Sequence, residues 1–365
     1  MKQKFYALET YRGFAALMIA AIHFDVNSPI VNHSLANGYF VHFFFTLSGF
    51  VIFYNYENKV NNLDDLKNFL KKRFFRLYPL HLFFLLIFLM IEFIKYFLEI
   101  RYDYKANNLP FSKNDTDSFF ANLFLVHTFL KEYTFNTPSW SISAEFITYI
   151  FFGFLIYFSK KIIISLLIVL ITFLMRINDD LFFGASHSGY KSLIDCLYSF
   201  YLGAIFCKIY LNINEHYVYK KFKNYLSFFF LSLTIFLMIY LNGKLLIILP
   251  LIFGLTIMFS CAIEKDNFLG KILLNNFLLY LGKISYSIYM SHLFVFWSLT
   301  QFFRFILKIE TFTEVNTGFI KLNLSTSEAN LFAITAYFVT ILSSIFLYRY
   351  IENNTFYSRI KSNKN

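Results

Sequence analysis

Two side chains in the first apolar segment of the chain are spaced so that they can act together. Arg12 and His23 lie eleven residues apart in the run ETYRGFAALMIAAIHF. On an α-helix this spacing is about 1100°, close to three full turns, so both side chains share one face about 16 Å apart along the axis. One interpretation is that Arg12 binds a phosphate or carboxylate while His23 transfers a proton. The alternative is that Arg12 extends to the membrane interface and His23 only ends the helix.

A second pair of cations precedes the third apolar segment. Arg73 and Arg76 lie three residues apart in KKRFFRLYP, so they share one helix face, and Pro79 predicts a break or turn at the membrane boundary. Two fixed guanidinium groups suit a phosphorylated, cytosolic cofactor. The alternative is that they only set the topology and attract anionic lipid.

A carboxylate follows in TPSWSISAEF, residues 137–146. We expect Thr137 to cap a helix that carries Glu145 roughly two turns into the membrane. A carboxylate at that depth needs a partner or a proton, so Glu145 is predicted either to orient His23 or to be the base itself. Trp140 is interpreted either as support for the site or as an interfacial aromatic residue.

Small residues mark two further runs, FFFTLSGF at 43–50 and SYSIYMSH at 285–292. Small side chains allow membrane helices to approach closely. His292 is then an imidazole within the membrane, which either supports catalysis or makes a packing hydrogen bond. Ser48 and the backbone near Gly49 are candidates for stabilising an oxyanion.

The elements that must position these residues are predicted to be membrane helices. Of 365 residues, 58% are hydrophobic, 22% aromatic and only 15% charged, which excludes an ordinary soluble domain. We predict an all-α, polytopic membrane protein of about ten transmembrane helices. The apolar stretch 118–130 is expected to be interfacial or re-entrant instead of an eleventh span. The predicted spans are 6–25, 39–56, 78–98, 140–158, 162–177, 192–212, 225–241, 245–263, 284–303 and 329–350.

The distribution of charge predicts the orientation of the chain. Most Lys and Arg residues fall on the side that holds both termini, so both termini are expected in the cytoplasm. Arg12 lies inside the first apolar block and no small-x-small cleavage site follows it, so we expect this helix to be retained. We find no internal repeat and no Gly-, Ser- or Pro-rich linker. Residues 1–365 are therefore predicted to form one membrane domain, with no separate soluble domain.

Two other classes of function are not favoured. The net charge is +11, but the basic residues are dispersed between hydrophobic segments, so nucleic-acid binding is not expected. The three cysteines, Cys196, Cys207 and Cys261, show no C-x-x-C or metal-ligand spacing, so no metal site is predicted.

Taken together, these strings resemble the acyltransferase-3 family of bacterial integral membrane O-acyltransferases. The C-terminal string departs from the family's I-E-x-P, since Glu352 is kept but the proline position is Asn354. The matching strings are Arg12-x10-His23 with Gly13, FFTLSGF at 44–50, Arg73-x-x-Arg76-Leu77-x-Pro79, P-x-W-S-x-x-x-E at 138–145 and S-Y-S-x-Y-x-x-H at 285–292.

The resemblance implies a multi-pass protein of the bacterial cytoplasmic (inner) membrane that uses acyl-CoA, usually acetyl-CoA, as its donor. The acceptor would be a hydroxyl of an extracytoplasmic or lipid-linked glycan. The resemblance also makes His23 essential and associates Arg73 and Arg76 with donor binding. Some family members carry an extra extracytoplasmic domain that completes transfer, so this chain is expected to act directly or through a separate partner.

The expected mechanism leaves two routes open. His23 acts as general base on the acceptor hydroxyl or briefly carries the acyl group, and Glu145 or His292 tunes it. The main alternative function is a transporter or flippase, because buried Arg, Glu and His residues also line transport pathways. A sensory or scaffold protein is the third reading, but it gives no reason for His23 and the Arg pair to coexist.

Overall fold

A computed structural model describes residues 4–24, 26–31, 38–103, 106–130, 132–178, 189–241, 243–261, 263–314 and 320–353. Within these ranges the chain is mainly helical, which agrees with the predicted all-α class. One short strand pair is added: Thr311–Thr313 (β1) and Ile320–Leu322 (β2) are antiparallel. Thr and Ile at the paired positions are residues that favour strands.

The described helices follow the predicted apolar segments. Two short 3₁₀ turns, Thr137–Ser139 and Gly243–Ile248, and one π-helical turn, Tyr348–Glu352, adjoin the helices. The helices are α1 (Tyr6–His23), α2 (Phe40–Tyr56), α3 (Leu63–Tyr102), α4 (Thr116–Leu123), α5 (His127–Leu130), α6 (Trp140–Phe158), α7 (Ile162–Ile177), α8 (Tyr190–Ile213), α9 (Tyr217–Tyr240), α10 (Leu249–Ser260), α11 (Phe268–Leu273), α12 (Asn276–Lys283), α13 (Ser285–Phe305) and α14 (Thr326–Leu347).

Five helices in the described part of the chain are long and apolar enough to cross a membrane. They are α3, α6 with its preceding turn, α8, α9 and α14 with its following turn. The apolar helices α2, α7 and α10 are shorter. Each predicted span coincides with a helix, but the number of ten transmembrane helices stays a prediction. With 8 and 4 residues, α4 and α5 are too short to cross a bilayer core.

Helix α3 corrects the predicted break at Pro79. It is one helix of 40 residues with Pro79 inside it. Arg73 and Arg76 therefore lie on the same continuous helix as the predicted span 78–98. At 1.5 Å per residue it is about 60 Å long, twice the thickness of a bilayer core. A proline removes only one backbone donor, and neighbouring helices in a membrane bundle keep such a helix continuous.

The backbones of α2 and α8 touch at two glycines. A Cβ atom at Gly49 would lie 1.8 Å from the carbonyl oxygen of Phe200, and one at Gly203 would lie 1.9 Å from that of Thr46. No larger side chain fits at either position without moving a helix. This close approach explains the small residue that follows Ser48 in the second apolar segment.

A similar contact holds the first half of α1 against α12. A Cβ atom at Gly282 would lie 2.0 Å from the carbonyl oxygen of Glu9, and one at Gly13 would lie 2.9 Å from Cβ of Leu281. The glycine next to Arg12 is therefore a packing requirement. It fixes the height of Arg12 relative to the start of α13, which follows α12 directly.

Candidate functional site

One cavity of about 180 Å³ gathers the cations predicted for the site. It lies between α1, α2, α3, α6 and α13, and Arg12, Arg73 and Arg76 line it together with Glu145 and Ser48. The lining holds three guanidinium groups and one carboxylate, so the charged groups that face the cavity are mainly cationic. The rest of the wall is mainly aromatic and aliphatic.

Arg73 holds a donor ready for a ligand. Its Nη2 donates to the hydroxyl of Tyr56 over 3.3 Å, and its guanidinium carbon lies 5.3 Å from the centre of the same ring. Its Nε is buried and has no hydrogen-bond partner among the described residues. A buried N–H without a partner is costly, so this group is well placed to bind an anion that enters the cavity.

Arg76 is fixed by a carboxylate from the far end of the chain. It forms an ion pair with Glu352, whose side chain is almost completely buried, and Ser287 Oγ donates to the second oxygen of the same carboxylate over 2.7 Å. The Arg76 guanidinium also lies 5.5 Å from the ring centre of Tyr286. In the sequence, Glu352 stands out only as the glutamate of the C-terminal I-E-x-P string, and its contact with Arg76 was not predicted.

Glu145 and Ser48 are joined through one tyrosine. The Tyr149 hydroxyl lies 2.5 Å from Oε1 of Glu145 and 2.8 Å from Oγ of Ser48. Tyr149 donates its one hydroxyl hydrogen to Glu145, so Ser48 must donate to Tyr149. In this arrangement the Ser48 proton is directed away from any oxyanion in the cavity.

Arg12 has a partner on its own helix. Its Nη1 lies 3.3 Å from Oε2 of Glu9, one turn earlier, and both side chains are 28% exposed. A pair this exposed contributes little to stability, so a ligand phosphate can compete for Arg12 at small cost.

The two histidines meet each other at a different place. Nε2 of His292 lies 3.1 Å from Nδ1 of His23. Nδ1 of His292 faces the carbonyl oxygen of Ile288 at 3.2 Å, and Nδ1 of His23 also faces that of Ile19 at 3.0 Å. Carbonyl oxygens only accept, so both Nδ1 atoms carry hydrogen when the rings are neutral. Nε2 of His292 then accepts from His23, so Nε2 of His23 carries the lone pair, and no described residue hydrogen-bonds to it.

Tyr289 connects the cavity with this His pair. It lines the cavity, and its ring centre is 6.0 Å from that of His292. Its hydroxyl donates to the carbonyl oxygen of Pro138 over 2.8 Å and lies 2.7 Å from Oγ of Ser141. The start of α6 therefore holds the side chain that separates the cations from the histidines.

The structure places Glu145 away from the partner expected for it. Its hydrogen bond goes to Tyr149, whereas the side chain that contacts His23 is that of His292. Of the two tuning residues that the sequence left open, the geometry therefore brings only His292 to His23. Neither histidine lines the cavity that holds Glu145.

The start of α6 also differs from the expected capped helix. The 3₁₀ turn Thr137–Ser139 precedes Trp140. Asn136 is the N-cap residue of this turn, but its side chain makes no capping hydrogen bond. The Asn136 side chain instead donates to the carbonyl oxygen of Met290 over 2.9 Å, which ties this turn to α13. Thr137 is therefore not the cap, because it is already part of the turn. Trp140 lines a second cavity, outside the one that holds the arginines.

These features define a helical membrane protein with a cationic cavity beside a paired imidazole. The model of the family described as "Acyltransferase domain" matches residues 5–349, so the chain belongs to the acyltransferase-3 family. A curated protein of Streptomyces mycarofaciens, named Acyltransferase MdmB, is 33% identical over 159 residues. That match spans 40% of this chain and 38% of the relative's length. No solved structure matches the chain significantly.

Proposed function

We propose that this protein moves an acyl group, acetyl by preference, from cytoplasmic acyl-CoA to a hydroxyl of an extracytoplasmic or lipid-linked glycan. The observation that carries the proposal is the cationic cavity, whose Tyr289 contacts His292, which in turn holds His23 by a hydrogen bond. Membership of the acyltransferase-3 family and the likeness to a protein named as an acyltransferase support it.

Acyl-CoA fits the chemistry of the cavity. Its phosphates would bind Arg73 and Arg76, with Arg12 as the third cation, because guanidinium groups bind phosphate in a bidentate manner. The unpartnered Nε of Arg73 is one donor for this purpose. The hydroxyl of Ser285 lines the cavity, is buried and has no partner among the described residues. It is a second donor for the phosphates.

His23 would perform the proton transfer. Its Nε2 takes the proton of the acceptor hydroxyl as that oxygen attacks the thioester carbonyl, so a C–O bond forms while the C–S bond breaks. The leaving thiolate takes the proton back from His23. In the second route Nε2 attacks the thioester first, so a C–N bond forms while the C–S bond breaks and CoA leaves as thiolate. The acceptor hydroxyl then attacks the acyl-imidazole, the C–N bond breaks, and the hydroxyl proton goes to the thiolate. Both routes need the lone pair that His292 leaves free on His23.

The proposed setting is the bacterial cytoplasmic membrane, with several spans and both termini in the cytoplasm. Arg12 is then nearer the cytoplasmic end of α1 and His23 nearer the outer end. The donor enters from the side where CoA is made, and the acceptor approaches from the side where the glycan lies. Membrane lipid surrounds the apolar helices, and a separate extracytoplasmic protein is a candidate for completing transfer.

A sidedness assay tests this function against the transporter alternative. Proteoliposomes containing the glycan are supplied with acetyl-CoA labelled in the acetyl group, on one face at a time. We expect label in the glycan only when the donor meets the Arg73 and Arg76 face, and less label with propionyl- and butyryl-CoA. A flippase would move glycan across the membrane without labelling it, and that result would contradict the proposal.

A further inference from the structure

A second cavity lies beside Trp140, apart from the arginines. It has a volume of about 180 Å³ and is formed by α5, Glu132, Thr134 and the beginnings of α6 and α8. Its wall differs from most of this chain, which is 58% hydrophobic, because its side chains are almost all polar or aromatic. The lining side chains include those of His127, Thr128, Glu132, Thr134, Trp140 and Ser192.

The chemistry of this wall selects the ligand. Glu132 contributes a carboxylate and Thr128, Thr134 and Ser192 contribute hydroxyls, while neither Lys nor Arg is among the described lining residues. A phosphate or another anion would be repelled by the carboxylate of Glu132. A neutral ligand with many hydroxyl groups would donate to Glu132 and place the apolar face of a sugar ring on Trp140.

A buried histidine closes one side of this cavity. His127 is fully buried, and its Nε2 lies 3.1 Å from the carbonyl oxygen of Ser139. A carbonyl oxygen only accepts, so Nε2 donates to it. Burial lowers the pKa of His127 to about 3, so the ring is neutral. His127 therefore adds no positive charge to offset the carboxylate of Glu132.

The second cavity is linked to the His pair through consecutive contacts. Ser141, next to Trp140, meets the hydroxyl of Tyr289 at 2.7 Å. The Tyr289 ring lies 6.0 Å from that of His292, which lies 4.9 Å from that of His23. Because several side chains stand between the cavity and His23, a chain of sugars could reach both places, whereas a single sugar could not.

We propose that the cavity beside Trp140 is a subsite for a neutral stretch of the acceptor polysaccharide, remote from the hydroxyl that is acylated. This assignment rests on the proposed function. It gives Trp140 and Glu132 the role of binding the polymer, and it separates acceptor binding here from donor binding at Arg73 and Arg76. His127 and the three hydroxyls complete the wall.

Tryptophan emission tests the subsite without requiring any transfer. The chain has two Trp residues, so Trp297→Phe leaves Trp140 as the single reporter. The probe is O-deacylated envelope polysaccharide from the organism's own cells, titrated onto the purified full-length protein. We expect a saturable change in emission, with a midpoint raised about tenfold by Glu132→Gln, because the ligand's hydrogen bond then goes to a neutral acceptor instead of a charged one. The matched control is Glu310→Gln, an exposed glutamate outside this cavity.

Each outcome decides the matter. A saturable change that shifts in Glu132→Gln but not in Glu310→Gln supports the subsite. No change on adding polysaccharide, an unshifted midpoint in Glu132→Gln, or an equal change with inorganic phosphate overturns it. Polysaccharide binding without transfer of labelled acetyl would retain the subsite and reject the proposed function. Transfer of labelled acetyl without a change in emission would retain the proposed function and reject the subsite.

Discussion

Nδ1 of His23 donates to Nε2 of His292 across 3.1 Å, and the carbonyl oxygen of Ile19 accepts from the same Nδ1. Nδ1 of His292 is held by the carbonyl oxygen of Ile288, so His292 can only accept from His23. His292 and Ile19 therefore act together to keep the hydrogen of a neutral His23 on Nδ1, in the way that a carboxylate or carbonyl commonly orients a functional imidazole.

Replacement of His292 should reduce transfer only in part. We expect His292→Ala to lower kcat on the order of tenfold, below the roughly 10²–10⁴-fold that a general base contributes. The loss is limited because the carbonyl oxygen of Ile19 still holds Nδ1 of His23. Glutamine at this position can accept through Oε1, so His292→Gln should retain more activity than His292→Ala. Equal loss in the two variants would show that the hydrogen bond has no role.

Removal of Arg73 should weaken donor binding. Arg73→Met is expected to raise the KM for acetyl-CoA about tenfold with a smaller change in kcat, since tenfold corresponds to about 1.4 kcal/mol and fits one lost charge-assisted contact. Arg73→Lys keeps the charge but loses the planar pair of donors, so its KM for acetyl-CoA should lie between those of the intact protein and Arg73→Met. Arg101→Met, at the exposed C-terminal end of the same helix, is the control. An unchanged KM in Arg73→Met would remove Arg73 from the donor site.

Breaking the Arg76–Glu352 pair should destabilise the fold. In Glu352→Ala the guanidinium of Arg76 and the hydroxyl of Ser287 both lose their acceptor. We expect a loss of about 2 kcal/mol, below the 3–5 kcal/mol of a fully buried pair because the Arg76 side chain is 37% exposed. Thermal unfolding in detergent measures this loss of stability. Glu264→Ala, whose side chain is 68% exposed in its pair with Lys223, should change stability by less than about 0.5 kcal/mol.

The contact between α2 and α8 should not tolerate a methyl group. In Gly49→Ala the new carbon would overlap the carbonyl oxygen of Phe200, so the helices must separate, at a cost of about 1–3 kcal/mol or more. Gly38→Ala is the matched control, because no atom lies within 4 Å of its Cβ position. Unfolding temperatures of the two variants in the same detergent compare them. Equal temperatures would contradict the close packing.

Local patterns predicted the helices well. The length and composition of the apolar blocks placed α7 at the predicted residues 162–177 and α2 within one residue of the predicted 39–56. The helix face shared by Arg73 and Arg76 follows from a spacing of three, and the structure places both side chains in one cavity. The continuation of α3 through Pro79 could not be read from the sequence, because it depends on packing by neighbouring helices.

Contacts between distant segments lay beyond the sequence. Glu352 meets Arg76 across 276 positions, and no local pattern indicates that pair. The choice between Glu145 and His292 as partner of His23 likewise depends on how α13 lies against α1. The strand pair at Thr311–Thr313 is only three residues per strand, too short for an alternating pattern to be recognised.

The most direct test of the account is transfer of label from radiolabelled acetyl-CoA into glycan, in proteoliposomes that hold either the intact protein or His23→Ala. The loss of His23 removes the free Nε2 but keeps a small residue on α1, and tryptic digestion with size-exclusion chromatography confirms insertion and folding. We predict label with the intact protein and at least a 10²-fold loss in the variant. Equal labelling by both proteins would contradict the central claim that His23 performs the transfer.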